Sequence, residues 1–208
     1  MTYRHHFAAV ASFTLTALLF ASGAPAAQAG ELKAGRLKAG QLKAGVFDPP
    51  RAAPELALQS SNGGALSLAA YRGKVVLLGF GFTTCPKVCP TTLAVLAAAR
   101  KRLGEQGRQV QVVYVTVDPE RDDAARMRSY LTAFDPDFVG GTGTEAQLAA
   151  ARASYGVAAE RKVVGNGYFY AHSSSVYLID TRGLLRGMMP YGRAPEDYAH
   201  DVRVLLAE

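Results

Sequence analysis

The order of apolar segments in this chain predicts an α/β domain. KVVLLGFGF (74–82) is a continuous apolar run of strand length, as expected for a strand buried on both faces, and QVQVVYVTV (109–117) reads as a second buried strand. Between them, residues 90–103 have helical composition. Near the end, SVYLID and LLRGMMP are joined by TRG as an antiparallel hairpin, and PEDYAHDVRVLLAE closes the chain as a helix. Strand, helix, strand, helix, then a hairpin and a terminal helix is the thioredoxin-like arrangement.

The elements follow in order. Residues 1–29 read as a signal peptide: Arg4 lies in a short basic region, FAAVASFTLTALLF is the apolar stretch, and AQAG offers a small-residue cleavage site after Ala29. The alternative is an uncleaved anchor, because residues 7–27 carry no charge. Cleavage is favoured because Ser22, Gly23 and Pro25 interrupt the run. Either way the folded part is expected to be exported, periplasmic or on the outer face of the cytoplasmic membrane, where thiols can oxidise. Residues 30–53 read as a linker. ELKAGRLKAGQLKAG (31–45) repeats a five-residue unit three times, too few to bury a core, and its leucines fall on rotating helical faces. Its lysines also allow proximity to anionic lipid headgroups. From residue 54 to 208 a single domain is expected. ELALQ and ALSLA flank SSNGG as an added N-terminal β-hairpin. PERDDAARMRSYLTAF and TEAQLAAARASYG read as two further helices, the second ending on Gly156.

The chain of 208 residues is 49% hydrophobic with a formal charge of +6. Five basic residues (Arg4, Lys33, Arg36, Lys38, Lys43) stand against Glu31 alone in residues 1–45, which leaves only +2 for the rest. No Lys/Arg run interleaved with aromatics follows, so no nucleic-acid partner is expected.

The chemistry concentrates in TTCPKVCP (83–90), which holds both cysteines, Cys85 and Cys89. Each precedes a proline, and a residue before proline avoids the α region. The simplest placement puts Pro90 first in the helix and Cys89 at or beside its N-cap, where N–H groups and the helix dipole favour a thiolate. Lys87 pushes the same way. A redox couple, a metal-binding pair and a structural disulfide all remain open at this point. Cβ atoms four apart in regular helix lie about 5–6 Å from each other, against roughly 3.8 Å in an unstrained disulfide. That spacing favours metal mildly, and the prolines weaken the argument. Two thiolates suit Cu(I) or Zn(II), and no third cysteine exists for a structural zinc site. His172 stands just before the late strand, at the same end of the sheet as the loop, and is the candidate third ligand. His200, between acidic neighbours, is read as solvated, and Met188 and Met189 as packing residues.

These residues resemble the Sco (Sco1/SenC) family of thioredoxin-fold copper-binding proteins, which help assemble cytochrome c oxidase. The resemblance spans roughly residues 54–207. It rests on GKVVLLGFGFTTCPKVCPTTL for the C-P-x-x-C-P loop, VTVDPERDD for a D-P-x-R-D segment, and AHSSSVYLIDTRG around the histidine. It implies copper, as Cu(I) or Cu(II), held by Cys85, Cys89 and His172, with Asp118 as a second-tier candidate. It also implies cytochrome c oxidase subunit II or another exported copper acceptor as partner. Thr84, Lys87 and Ala171 depart from the family pattern, which often has His, Asp and an acidic residue there, and make the site more positive. Apart from metal binding, Asp118 is expected to cap the helix that follows it. Tyr168 and Tyr170 are expected to shield the site or to pack in the core.

The rival function uses Cys85 and Cys89 as the redox pair of a thiol–disulfide oxidoreductase, with a thiol reductant as its partner. A peroxiredoxin-like enzyme is disfavoured, since Phe82 and Pro86 stand where a Thr or Ser three before the reactive cysteine is needed.

Overall fold

The computed structural model describes residues 32–33 and 41–208 of the chain. The expected leader (1–29) and the middle repeat unit (36–40) lie outside the described residues. The elements begin with strands β1 (Leu32–Lys33), β2 (Gly45–Ala52), β3 (Leu58–Ser60), β4 (Ala65–Leu66) and β5 (Val75–Gly81). Helix α1 (Val88–Arg102), strand β6 (Val110–Thr116), helix α2 (Ala124–Thr132), strand β7 (Val139–Thr142) and helix α3 (Glu145–Tyr155) follow. Two hairpins, β8 (Ala159–Val164) with β9 (Gly167–His172) and β10 (Val176–Ile179) with β11 (Leu184–Met189), precede helix α4 (Pro195–Leu206).

The main sheet runs β1-β2-β11-β10-β5-β6-β7-β3-β4. At its centre, β5 and β6 pair in parallel across α1, while β10 is antiparallel to both β5 and β11. That β6-β5-β10-β11 core, with α1 beside α4, is thioredoxin-like, as the sequence predicts. Every residue of β5 and of β6 is buried, which is why β5 reads as an unbroken apolar run and β6 as a mostly apolar one. The N-terminal hairpin forms as β3 and β4 at the sheet edge beyond β7. Helix α3 opens on a reciprocal cap: the Thr144 hydroxyl accepts from Gln147 N at 3.2 Å, and Gln147 Oε1 accepts from Thr144 N at 2.9 Å. It stops at Gly156, whose φ of 68° is the left-handed conformation glycine adopts without strain.

The expected linker does not extend to residue 53. Leu42 and Ala44 of the third repeat unit are buried, and Gly45 already begins β2. Backbone N–H groups of Lys43 and Ala44 donate to the Asp201 carboxylate at 2.7 and 2.9 Å, and Lys43 Nζ pairs with Asp197 at 2.8 Å. Leu32 and Lys33 of the first unit pair with Phe47 and Val46. Leu42 and Ala44 alternate inward with a strand's period of two. A helical test of the leucine spacing could not detect that alternation, and its anchor, Asp201, lies at the far end of the chain.

The hydrogen bond from Lys43, with further help from Arg193 against the opposing effect of burial, holds the Asp197 carboxyl below its ordinary value. A depressed carboxyl contributes stability that is present above the unfolded pKa, near 4, and is lost as pH falls through the folded one. Lys43→Ala is therefore expected to lower the melting temperature at pH 7 and to flatten its decline below about pH 4. A series of melting curves from pH 7 to pH 2 checks this, and parallel declines for wild type and variant would contradict it.

Candidate metal centre

Strand β5 ends at Gly81 and delivers a short loop, 82–87, to the first turn of α1. Helix α1 begins at Val88, two residues earlier than the prolines suggest, so Cys89 lies inside the first turn and is fully buried. Its buried positions, Cys89, Thr92, Leu93, Leu96 and Ala99, form the stripe that faces the sheet. Lys87 is the N-cap residue and supplies no side-chain cap. That service falls to Cys85, whose Sγ accepts the Cys89 N–H at 3.5 Å. The sulfur poised over the helix N-terminus is therefore Cys85, not Cys89 as the sequence predicts.

The two thiols differ accordingly. Burial alone would raise the Cys85 thiol, but N–H groups of Cys89, Lys87 and Val88, with the Cys89 side chain, hold it below its ordinary value. Burial pushes Cys89 up to about 12, against opposing hydrogen bonds from the Tyr114 hydroxyl and the Phe82 backbone. Cys85, half-buried, is the more readily ionised thiol and the one that meets solvent, while buried Cys89 holds its proton more tightly. No disulfide joins them.

His172 reaches this loop because β10 lies antiparallel beside β5, with Val176 opposite Gly79. The residues just before β10 therefore arrive where β5 ends. His172 closes β9, which with β8 forms a separate two-stranded sheet. Along β9 the residues Tyr168, Tyr170 and His172 are the half-buried ones, alternating with exposed Gly167, Phe169 and Ala171. Phe82 meets the rings of Tyr170 and His172, with centroids at 6.1 and 5.7 Å.

The histidine's tautomer follows from its partners. Nδ1 lies 2.8 Å from the Ser173 carbonyl oxygen, which can only accept, so Nδ1 carries the proton. Nε2 is left with its lone pair, 3.6 Å from Cys89 Sγ. Burial lowers the His172 pKa, opposed by the Ser173 hydrogen bond, so the ring is neutral at pH 7. A neutral imidazole with one nitrogen oriented by a carbonyl is what a metal-ligating histidine requires. The three side chains meet pairwise, Cys85 with Cys89 and Cys89 with His172. Among the described residues no three His, Cys, Asp or Glu side chains already close around one ion position. Two sulfurs and an imidazole nevertheless fit a soft monovalent or borderline metal, and taking one up requires their side chains to turn inward together.

Asp118, the second-tier candidate, is fully buried, and both its oxygens are engaged. Oδ1 accepts the Tyr168 hydroxyl at 3.0 Å, and Oδ2 pairs with Arg121. It does not cap α2; Asp123 does, through Oδ1 to Arg126 N at 2.7 Å. Arg121 and Arg161 lie on the ring of Tyr168 at 3.9 and 3.7 Å, which ties the β8–β9 hairpin to the D-P-x-R-D segment. His200 pairs with Asp201 at 2.9 Å, and Met189 is buried in the core.

Two features escape the sequence reading. The first is the β8–β9 hairpin itself, announced by VVGNGY, a glycine–asparagine–glycine turn between extended residues. The second is Asp122. Its buried carboxylate accepts from Thr83 N at 2.9 Å, Thr83 Oγ1 at 2.6 Å and Thr116 Oγ1 at 2.7 Å. It anchors the base of the cysteine loop to the end of β6.

Comparison with known proteins identifies the family. The family model described as SCO1/SenC matches residues 48–207. Human "Protein SCO2 homolog, mitochondrial" is 39% identical over 150 residues, covering 70% of this chain and 56% of that one. The mouse counterpart is 35% identical over 153 residues, covering 72% of this chain and 60% of that one. The chain thus spans less than two thirds of these mammalian relatives. Among solved structures, Bradyrhizobium japonicum ScoI with copper bound superposes with a TM-score of 0.68 at 33% identity, covering 74% of this chain and 99% of that one. Yeast Sco1 with copper bound gives a TM-score of 0.66 at 26% identity, covering 74% and 87%.

Proposed function

The chain belongs to the SCO1/SenC family, and from that premise we propose that it is an exported copper chaperone that loads the dinuclear copper site of cytochrome c oxidase subunit II. The observation that carries this reading is His172 Nε2, deprotonated by its tautomer and 3.6 Å from the sulfur of Cys89. The copper found in the related ScoI and Sco1 structures supports copper as the cargo. Cys85, already favoured as a thiolate and partly open to solvent, receives the metal first. Cys89 gives up its proton on binding, and the neutral His172 needs to release none. Incoming thiolates of the acceptor displace these ligands one at a time, beginning at the accessible Cys85. The uncharged apolar stretch 7–27, read as part of a cleaved signal or of an anchor, supports an exchange outside the cytoplasm. No helix among the described residues is long and apolar enough to cross a membrane.

The asymmetry of the thiols favours a second activity of the same pair. Cys85 thiolate attacks an acceptor disulfide, forming a mixed disulfide and releasing one acceptor thiolate. Cys89, after losing its proton, attacks the Cys85 sulfur and releases the second, leaving Cys85 and Cys89 joined as a disulfide. A thiol reductant must then return two electrons to the pair. The oxidised pair cannot hold copper, so the two activities exclude each other in time.

The reduced protein, titrated anaerobically with Cu(I) against a competing chelator and mixed with the metal-free copper domain of subunit II, is expected to bind one copper and transfer it. A reduced protein that takes up no copper yet still reduces that domain's disulfide would leave the oxidoreductase reading standing alone.

A further inference from the structure

Tyr114 sits in the middle of β6 and is 2% exposed. Within the sheet it is flanked by glycines on both sides, opposite Gly79 of β5 and Gly140 of β7. Its ring leans over β5. A Cβ at Gly79 would come within 2.8 Å of ring carbons Cδ2 and Cε2. A Cβ at Gly81 would come within 2.1 Å of the Tyr114 hydroxyl and 2.8 Å of Cys89 Sγ. Atoms that do not approach so closely in real proteins would collide, so the two glycines of GFGF leave room for this ring. The same point in space touches both the hydroxyl and the sulfur. The hydroxyl and the Cys89 sulfur therefore both border the space that Gly81 leaves open. Tyr114 and His172 also line one narrow cleft, with Gly79 and Val176.

A phenol buried among apolar side chains needs a partner. A buried thiolate needs compensation for the water it has lost. The two needs meet here. Resting on the copper reading above, we propose that Tyr114 is a positioning residue of the metal centre: its hydroxyl donates to Cys89 Sγ and sets how strongly that sulfur binds the metal. A donated hydrogen bond stabilises the thiolate in its dry pocket and lowers the energy of the sulfur lone pair that the metal shares. Gly79 and Gly81 act through Tyr114 by admitting its ring.

The test compares wild type, Tyr114→Phe and Gly81→Ala, each reduced, loaded with copper alone and followed by two readouts. Copper affinity is expected to fall about 10-fold in Tyr114→Phe, the scale on which partners of metal ligands act. The sulfur-to-copper charge-transfer band of the Cu(II) form is expected to move to longer wavelength, because the sulfur electrons are less tightly held. Gly81→Ala, which keeps the hydroxyl and pushes it off the sulfur, is expected to move the band the same way. Its folding is checked by its melting curve. Wild-type binding with an unmoved band and unchanged affinity in Tyr114→Phe would overturn the proposal and leave the copper reading intact. Absence of copper binding by wild type itself would instead overturn the copper reading on which the proposal rests.

Discussion

His172→Ala is expected to weaken copper capture by about 100-fold or more, beyond the 10–100-fold that follows from losing a partner of a metal ligand. The substitution removes the imidazole nitrogen that the fold presents to the Cys89 sulfur, at 3.6 Å. The cost to folding is expected to be small. His172 is half-buried at the end of β9, and the hairpin base keeps its own bonds, Ser173 N to Ala158 O at 2.9 Å and Ala158 N to Ser173 Oγ at 3.2 Å. The ring contact with Phe82 is lost, a matter of about 1 kcal/mol. Competition titration with Cu(I), together with melting curves on the same samples, separates the two effects. Wild-type affinity in the variant would remove the basis of the three-ligand site. The thiol chemistry should persist, because Cys85 owes its low pKa to α1 and Cys89 and not to the histidine.

Asp122→Ala is expected to destabilise the domain by about 3–5 kcal/mol. The carboxylate receives three hydrogen bonds from Thr83 and Thr116, all buried. Alanine leaves those donors without a partner inside the protein, where each orphan costs about 1–3 kcal/mol. Arg126 adds to the strain, since its Nε donates to Thr83 Oγ1 at 3.1 Å and would then hold a hydroxyl with no acceptor. Against a total stability of roughly 5–15 kcal/mol for a domain, the variant is close to unfolding. Urea denaturation of both proteins measures it, and Asp122→Asn, which keeps an acceptor oxygen, should recover part of the loss. A change below about 1 kcal/mol for alanine would show that the Thr83 cluster does not anchor the loop.

Much of the architecture was legible because burial leaves a direct trace in sequence. A strand covered on both faces is mostly apolar, as β5 and β6 are, and the buried Gln111 and Thr116 of β6 are hydrogen-bonded. Glycine in the left-handed conformation ends α3 where a Gly follows a helical run. Strand β7 reads VGGT, which has little strand propensity and gives no strand signal in sequence. Its glycines are there for packing: a Cβ at Gly140 would come 2.9 Å from Met127, and one at Gly141 2.7 Å from Leu66. Strand β2 was hidden behind a repeat, since its anchoring carboxylate, Asp201, lies more than 150 positions away. In the candidate site, Asp122 is indistinguishable in sequence from the other acidic residues of DPERDD, because only the fold places Thr83 and Thr116 around it.

The sequence by itself determined which donors are candidates. Two cysteines four apart at a helix entry and a histidine before the late strand are chemical identities, and softness and spacing can be judged from identity alone. The tertiary structure decided how those donors are prepared. It put the helix N-terminus under Cys85 and buried Cys89, gave His172 its proton on Nδ1 through Ser173, and laid Tyr114 across two glycines onto a sulfur. The state of an ionisable group depends on the water it loses and the dipoles it gains. Those come from residues that are neighbours in space, and only the fold says which they are.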